Sequence, residues 1–230
     1  MTKWTSRGEL IFFKLPRIGS LLYDKLMHNS PMQLYYQEIA QNLTNRLPAG
    51  RLLDVGTGPG RLLQAIHGIN PAIELYGLDI SAAMIKQAQK NLSGIAVNLR
   101  QGNIRQTDFP SDYFDLVACS GSFYLWNPPE EGLQEIHRVL KRGQRAYLFE
   151  CDRESDRQAM RVSLRKNLRQ VNVLAKIFGP LAITQALDAA YNRKEIGEIV
   201  QRTSFARHFS IADIAISGLA MWMRIELRKD

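Results

Sequence analysis

The pattern of apolar and polar residues divides the chain into alternating strands and helices. Apolar, partly β-branched runs are typical of strands that are buried on both faces. Such runs fall within residues 52–55, 74–78, 96–100, 112–120 and 146–150. Between them, apolar residues recur at helical spacing, as in 61–66 and 130–140, and Gly143 is predicted to break the second of these helices. This alternation predicts an α/β fold with a doubly wound parallel sheet.

The segments on either side of this core add further elements. Residues 33–47 are predicted to form a helix that precedes the first strand. Near the other end, a helix is predicted to begin at Lys194 and is followed by strand patterns in 206–216 and 219–228. Ser217-Gly218 lies between these two strands, so the sequence predicts a closing β-hairpin.

A glycine-rich turn follows the first strand. Gly56, Gly58 and Gly60 stand at every second position after Asp54. Glycines let the backbone turn tightly and approach a ligand at the carboxyl end of a parallel strand. The dinucleotide fingerprint needs a third glycine where Arg61 stands, which argues against an NAD-dependent oxidoreductase. Asp54 can accept a hydrogen bond from a ligand ammonium, directly or through water, so the turn favours an amino-acid-like group.

Two stretches resemble one enzyme family. Residues 54–60 match D/E-x-G-x-G-x-G, the first motif of class I S-adenosylmethionine (SAM)-dependent methyltransferases, at every fixed position. Residues 135–143 resemble the E-x-x-R-V-L-K-P-G-G stretch of small-molecule methyltransferases, with Arg142 and Gln144 replacing the usual proline and second glycine. The resemblance is to the quinone-biosynthesis and methyltransferase-domain 11 and 25 group. It implies a Rossmann-like, three-layer αβα fold with a seven-stranded sheet whose last strand is antiparallel, SAM as cofactor and S-adenosylhomocysteine (SAH) as product.

The resemblance also assigns cofactor contacts to the ends of the first two strands. Asp54, Thr57 and the glycines of the turn would hold the methionine part of SAM. Asp79, 25 residues after Asp54, would bind the ribose hydroxyls, and Ile80 would lie against the adenine. Ser81 is better placed than Asp79 to cap the following helix, so we interpret Asp79 as the ribose ligand.

The ends of the third and fourth strands would complete the cofactor site. Asn103 stands where the family usually has an acidic residue that accepts from the adenine amino group. An amide keeps a carbonyl acceptor but loses the charge-assisted part of that hydrogen bond. The backbone N–H of Ile104 would reach a ring nitrogen, and Ser120 would close the site at the end of the fourth strand.

The methyl acceptor is less constrained than the cofactor. The sulfonium is already activated, so the protein mainly has to align the nucleophile, the methyl group and the sulfur. A general base would help an oxygen or nitrogen acceptor, and Asp24, His28 and Tyr124 are the candidates. The family resemblance favours a small hydrophobic or anionic metabolite, of the quinone, lipid or natural-product kind.

Two alternative functions stay open. The net charge of +8 suits an RNA methyltransferase, although no appended RNA-binding module is evident. Asn127-Pro128-Pro129 does not match the motif of amino-directed methyltransferases, because seven residues separate it from the strand and no aromatic residue closes it. A SAM-binding fold without catalysis, acting as a binding or assembly partner, is the second alternative.

A series of arginines follows the fifth strand at four-residue intervals, and residues 138–169 carry ten Lys/Arg against four Asp/Glu. This spacing predicts a basic helix beside an apolar strip. Its arginines form either a solvated face with acidic partners or a substrate mouth that receives an anionic group or a membrane surface. The series comprises Arg153, Arg157, Arg161, Arg165 and Arg169.

Length and composition indicate one domain of 230 residues. We divide it into an N-terminal helical lid (1–47), a SAM-binding core (48–150), a helical substrate cap (151–193) and a last helix with the closing hairpin (194–230). The only apolar run within the first 19 residues is four residues long, too short for a signal peptide or a membrane span, which predicts a cytoplasmic protein. Cys119 and Cys151 match no zinc or redox spacing, and no metal site is predicted. The sequence does not indicate an oligomeric state.

Overall fold

The computed structural model describes residues 30–158, 184 and 186–230. The helices are α1 (Ser30–Thr44), α2 (Arg61–Ile69), α3 (Ala82–Asn91), α4 (Pro129–Val139) and α5 (Arg193–Gln201). The strands are β1 (Gly50–Val55), β2 (Ile73–Asp79), β3 (Val97–Gln101), β4 (Phe114–Ser120), β5 (Leu140–Cys151), β6 (Phe209–Ile216) and β7 (Leu219–Arg228). A short 3-10 helix, Phe123–Leu125, lies between β4 and α4.

The strands form one seven-stranded sheet in the order β3-β2-β1-β4-β5-β7-β6. Strands β1 to β5 pair in parallel, and β7 is antiparallel to both β5 and β6. This confirms the prediction of a doubly wound sheet with an antiparallel last strand. The strand order reverses between β1 and β4, and ligands bind at the carboxyl ends of the strands at such a switch point.

Helices cover both faces of the sheet, which explains the continuous apolar runs in its central strands. Leu52 of β1 packs in the cluster formed with α1 and α2, while Leu53 packs in the opposite cluster with α4 and α5. Tyr35, Ile39 and Leu43 of α1 are all buried on the first face. The described part of the predicted lid therefore lies in the core layer, because its apolar face is needed to cover the sheet.

Gly143 has a different role from the one the sequence predicted. We expected it to break α4, but that helix ends at Val139 and β5 begins at Leu140. Gly143 adopts a φ of +76° inside the strand, near a register shift opposite Phe114 and Leu116. Gly143, in the left-handed region, therefore forms an irregularity within β5. Its N–H donates to the carbonyl of Lys229 at 2.8 Å.

Other boundaries follow the sequence more closely. Ser217 and Gly218 have φ values of +54° and +69° and join β6 to β7 as the predicted hairpin turn. Strand β6 begins at Phe209 rather than at 206, because hydrogen-bonded turns follow α5 as far as His208. Both cysteines are buried near strand ends. Within the described residues, no helix combines the length and apolar character that a membrane span requires.

Candidate functional site

The turn after β1 holds three glycines in the left-handed region. Gly56, Gly58 and Gly60 have φ values of +72°, +52° and +78°, which other residues rarely adopt. The N–H groups of Gly56 and Thr57 donate to the carbonyl of Leu78 at 2.8 and 3.0 Å, so the turn is tied to β2. Helix α2 follows Gly60, and no side chain at this N-cap position accepts from the first turn.

The space around these glycines differs. A Cβ atom on Gly56 would lie 2.1 Å from Ser122 Oγ, and one on Gly60 would lie 2.7 Å from Leu92 Cδ1. A Cβ atom on Gly58 would meet no other atom of the described structure within 4 Å. The turn is therefore packed tightly at two glycines and open beside Gly58, which leaves a cradle where a ligand can approach the backbone.

Asp54 is buried near the end of β1, and Thr57 follows it in the turn. Burial raises the pKa of Asp54 to about 7; the Thr57 hydroxyl opposes this rise, and the charge of Asp79 adds to it. Thr57 Oγ1 is itself buried and makes no hydrogen bond of standard geometry in the described structure. A buried carboxylate beside an unsatisfied hydroxyl suits a ligand that brings an ammonium group.

Asp79 ends β2 beside the glycine turn. Its Oδ2 accepts from the N–H of Gly58 and its Oδ1 from the N–H of Ser81, both at 2.8 Å. Ser81 caps α3 by accepting from the N–H of Met84, as the sequence predicted. Burial raises the pKa of Asp79, and the two backbone donors oppose that rise. Ile80 is 66% exposed directly after this carboxylate, which places an apolar surface next to a polar group.

Asn103 and Ile104 follow β3. Asn103 Oδ1 accepts from the N–H of Arg105 at 3.0 Å, and the carbonyl of Asn103 accepts from the N–H of Gln106 at 3.1 Å. Asn103 Oδ1 keeps a second lone pair for an adenine amino group. The side chain of Ile104 is buried in the core, so this residue would present its backbone to a ligand. Both adenine contacts stay predictions.

Ser120 ends β4, and the structure places Tyr35 next to it. The buried Tyr35 of α1 interacts with the Ser120 side chain, and its ring lies 4.6 Å from the ring of Trp222 on β7. Burial raises the pKa of Tyr35 well above its ordinary value, although Ser120 opposes that rise, so the phenol stays protonated at neutral pH. Trp222 Nε1 is buried and has no hydrogen-bond partner in the described structure.

Glu150 is a further buried carboxylate near this site. Its Oε1 accepts from the N–H of Phe123 at 2.8 Å, and Cys119 Sγ lies 3.7 Å from the same oxygen. Burial raises the pKa of Glu150 to about 7, against the effect of these and neighbouring donors. Sequence reasoning missed this residue, although an acidic side chain closing an apolar strand was the signal that identified Asp54.

The three proposed general bases gain no support. Tyr124 lies on the 3-10 helix and packs half-buried against the hydrophobic core. Asp24 and His28 lie outside the described residues. Their roles stay predictions.

The basic helix does not begin where the arginine spacing predicted. Residues 152–156 form turns, because Asp152 Oδ1 accepts from the N–H of Glu154 at 2.9 Å, a local bond that competes with a helix. Arg153 pairs with Glu195 at 2.8 Å and donates to the Ala190 carbonyl at 3.1 Å. The prediction that the helix includes Arg153 is therefore wrong.

The next arginine also has an acidic partner. Arg157 pairs with Asp188 at 2.7 Å, as expected for a solvated face. Arg161, Arg165 and Arg169 lie outside the described residues. An anionic ligand or a membrane surface at this segment stays a prediction.

These residues form a set that fits SAM. Thr57 Oγ1, beside the buried Asp54, has no hydrogen-bond partner in the described structure, and Asp79 presents carboxylate oxygens where two ribose hydroxyls would lie. The cradle at Gly58 admits a ligand against the backbone, and the exposed Ile80 offers an apolar surface to a base. The family resemblance and the geometry thus agree on the cofactor.

Comparisons with known proteins point to the same family. A model of the methyltransferase domain matches residues 53–148. The chain thus contains a methyltransferase domain and resembles class I SAM-dependent methyltransferases. It is 33% identical over 105 residues to the uncharacterized methyltransferase YdaC of Bacillus subtilis, covering 46% of this chain and 58% of YdaC. It is also 28% identical over 157 residues to the ubiquinone/menaquinone biosynthesis C-methyltransferase UbiE of Geotalea daltonii, covering 65% of this chain and 66% of UbiE.

A solved structure extends the likeness over the whole chain. A candidate SAM-dependent methyltransferase from Methanococcus maripaludis superposes with a TM-score of 0.68 at 22% identity, covering 100% of this chain and 97% of that one. This likeness confirms the fold of the methyltransferase. The chain spans less than two thirds of the length of the two curated relatives. SAM is the cofactor of this family, which confirms the cofactor prediction.

Proposed function

We propose that this methyltransferase transfers a methyl group from SAM to a small hydrophobic acceptor. The observation that carries the proposal is a pair of aromatic rings, Tyr35 and Trp222, of which Tyr35 interacts with the Ser120 side chain. Ser120 ends β4, which neighbours β1 and its glycine turn at the switch point of the sheet. An acceptor on this side of the turn would therefore meet an apolar, aromatic surface next to the cofactor.

The protein would contribute binding and alignment. Bound SAM supplies a methyl group on a positively charged sulfur, which is already activated for transfer. Asp54 and the glycine turn would hold its amino-acid end, and Asp79 its ribose. Fixing the donor between two strand ends leaves the acceptor as the group to be oriented. Tyr35 and Trp222 would exclude water from that side.

We expect the acceptor to react without a general base from Tyr35. Tyr35 stays protonated, because burial raises its pKa, so it would donate a hydrogen bond rather than remove a proton. The unpaired Trp222 Nε1 is a second donor. Two donors beside aromatic rings suit an oxygen-bearing aromatic ring, whose oxygen they would bind and whose ring they would contact. The relative from Geotalea daltonii is named for ubiquinone/menaquinone biosynthesis, and quinones are rings that carry oxygen, which supports the proposal.

Fractionated extract would identify the acceptor class. SAM with a radiolabelled methyl group is incubated with the protein and with lipid-soluble, water-soluble and RNA fractions of a cell extract. We expect label in the lipid-soluble fraction. A variant with Trp222→Phe keeps an aromatic ring but loses Nε1, so its transfer rate should fall while SAH binding is unchanged.

The same experiment separates the alternatives. Label in RNA, with salt-sensitive retention of RNA by the protein, would favour the RNA methyltransferase that the charge of +8 suggests. Calorimetric binding of SAM without transfer to any fraction would favour a catalytically inactive binding protein. Failure to bind either SAM or SAH would contradict the proposed function altogether.

A further inference from the structure

Glu150 is buried between β5 and the loop that follows β4. Its Oε1 accepts from the N–H of Phe123 at 2.8 Å, and the N–H groups of Gly121 and Ser122 also stabilise its charge. The loop is further tied to β5 by the N–H of Gly121, which donates to the carbonyl of Phe149 at 2.9 Å. Glu150 and the backbone of β5 therefore hold the loop at two points, Phe123 and Gly121, and fix the conformation of residues 121–123.

The fixed loop reaches the glycine turn through Ser122. The Ser122 hydroxyl donates to the carbonyl of Val55, the last residue of β1, at 3.1 Å. The same Oγ occupies the space that a Cβ atom of Gly56 would need, at 2.1 Å. Cys119 Sγ lies 3.1 Å from Ser122 Oγ and so holds it from the other side. The position of Ser122 thus sets how the backbone leaves β1 and enters the turn.

We propose that Glu150 is a positioning residue for the cofactor site, which acts through the 121–123 loop and Ser122 on the glycine turn. No contact between Glu150 and the cofactor is needed. The inference rests on the proposed function in one respect, that the turn after β1 binds SAM. It adds a chain of contacts from the end of β5, on the far side of β4, to the turn after β1.

The described titratable side chains around Glu150 carry no charge that competes with the 121–123 loop for its carboxylate. Among the residues that the structure describes, the titratable groups that face it are Cys119 on β4, Cys151 on β5 and Tyr35 on α1. Burial raises the pKa of both thiols and of the phenol, so all three are neutral near pH 7. The backbone N–H of Phe123 and the thiol of Cys119 are therefore donors to the ionised carboxylate, and such charge-assisted bonds are stronger than neutral ones.

A double-mutant cycle would test the connection. SAH affinity is measured by calorimetry above pH 7, where the carboxyl of Glu150 is ionised, for the full chain, for Glu150→Gln, for Ser122→Ala and for the double variant. We expect Glu150→Gln alone to weaken SAH binding about tenfold, because a neutral amide holds the loop less firmly. In the Ser122→Ala background the same substitution should weaken binding less than about twofold, since the link to the turn is already removed. Glu226→Gln, on β7 and away from the loop, serves as the matched control and should leave SAH affinity unchanged.

Folding is measured separately. Glu150→Gln removes a carboxylate whose charge is disfavoured by burial, so the variant should unfold at the same or a higher temperature above pH 7 than the unmodified protein. Weakened binding in a fold that is no less stable would support a positioning role. Additive effects in the cycle, or unchanged SAH affinity of Glu150→Gln, would overturn the inference while leaving the methyltransferase proposal intact. A chain that binds neither SAM nor SAH would instead contradict the proposed function.

Discussion

The backbone N–H of Gly58 donates to Asp79 Oδ2 at 2.8 Å, and this bond joins the glycine turn after β1 to the carboxylate that ends β2. The other oxygen, Oδ1, accepts from the N–H of Ser81. Asp79 is thus held from both sides by main-chain donors, which fixes the orientation of its carboxylate. Each oxygen keeps a further lone pair for a ribose hydroxyl.

Asp79→Asn should weaken SAH binding about tenfold or more. An amide can accept from only one of the two backbone N–H groups, and its NH₂ group would face the other donor. The side chain would then turn away and lose the ribose. Calorimetry with SAH measures the effect, and Asp213→Asn is the matched control because Asp213 pairs with Arg193 at the surface. Equal affinities of Asp79→Asn and the unmodified protein would exclude Asp79 from the ribose site.

Gly58→Ala and Gly56→Ala should differ in their effects on folding. Both positions have positive φ, so an alanine costs about 1 kcal/mol at each. Gly58→Ala adds no clash with described atoms, and the protein should fold but bind SAH poorly, because the methyl group enters the cradle. Gly56→Ala also displaces Ser122 and should lower the unfolding temperature further. Thermal unfolding and SAH calorimetry on both variants would check this; a similar loss of stability in the two would contradict the packing argument.

Ile80→Ser should weaken SAH binding several-fold without destabilising the protein. Ile80 is 66% exposed, so little apolar area is lost from the core when it is replaced. An adenine that packs against it would lose that contact. Ile69→Ser is a suitable control, because Ile69 is also exposed but lies at the end of α2 distant from the turn. If both variants bind SAH alike, Ile80 is not part of the adenine site.

The site residues that the sequence predicted best are those that can be identified from their neighbours along the chain. Asp54 and Asp79 each follow an apolar strand, and parallel strands bring such ends to one edge of the sheet. Tyr35 was missed because its contact with Ser120 joins residues far apart in sequence, and a tyrosine on the apolar face of a helix looks like any core residue. Gly143 was misassigned because a glycine with positive φ is equally suited to a helix end and to an irregularity within a strand.

Arg153 and Arg157 should differ in their contribution to stability. Arg153 is partly buried, pairs with Glu195 and donates to the Ala190 carbonyl, so Arg153→Gln should cost roughly 1 kcal/mol of unfolding free energy. The pair of Arg157 with Asp188 is exposed, and Arg157→Gln should change stability by less than about 0.5 kcal/mol. Denaturant unfolding compares the two. Neither variant should alter SAH affinity; a changed affinity for Arg153→Gln would show that this arginine serves the site.

Asp54→Asn should stabilise the folded protein at high pH while weakening SAM binding. Burial raises the pKa of Asp54 from 3.8 to about 7, so the folded state holds a proton that the unfolded state releases. The stability from that proton is complete below pH 3.8 and is lost as the pH rises to about 7. Asparagine removes this loss, and the variant should therefore unfold at a higher temperature than the unmodified protein above pH 7.

The affinity for SAM should rise with pH, whereas the contribution of Asp54 to folding stability falls with pH. The ammonium of SAM favours the ionised form of Asp54, so affinity should rise, by up to about tenfold per pH unit, as the pH approaches 7 from below. Asp54→Asn should bind more weakly and lose most of this dependence. Calorimetry from about pH 6 to about pH 7.5, where the ligand ammonium stays largely charged, measures both effects. A pH dependence that persists unchanged in Asp54→Asn would assign it to another group, such as Glu150, whose pKa is also about 7.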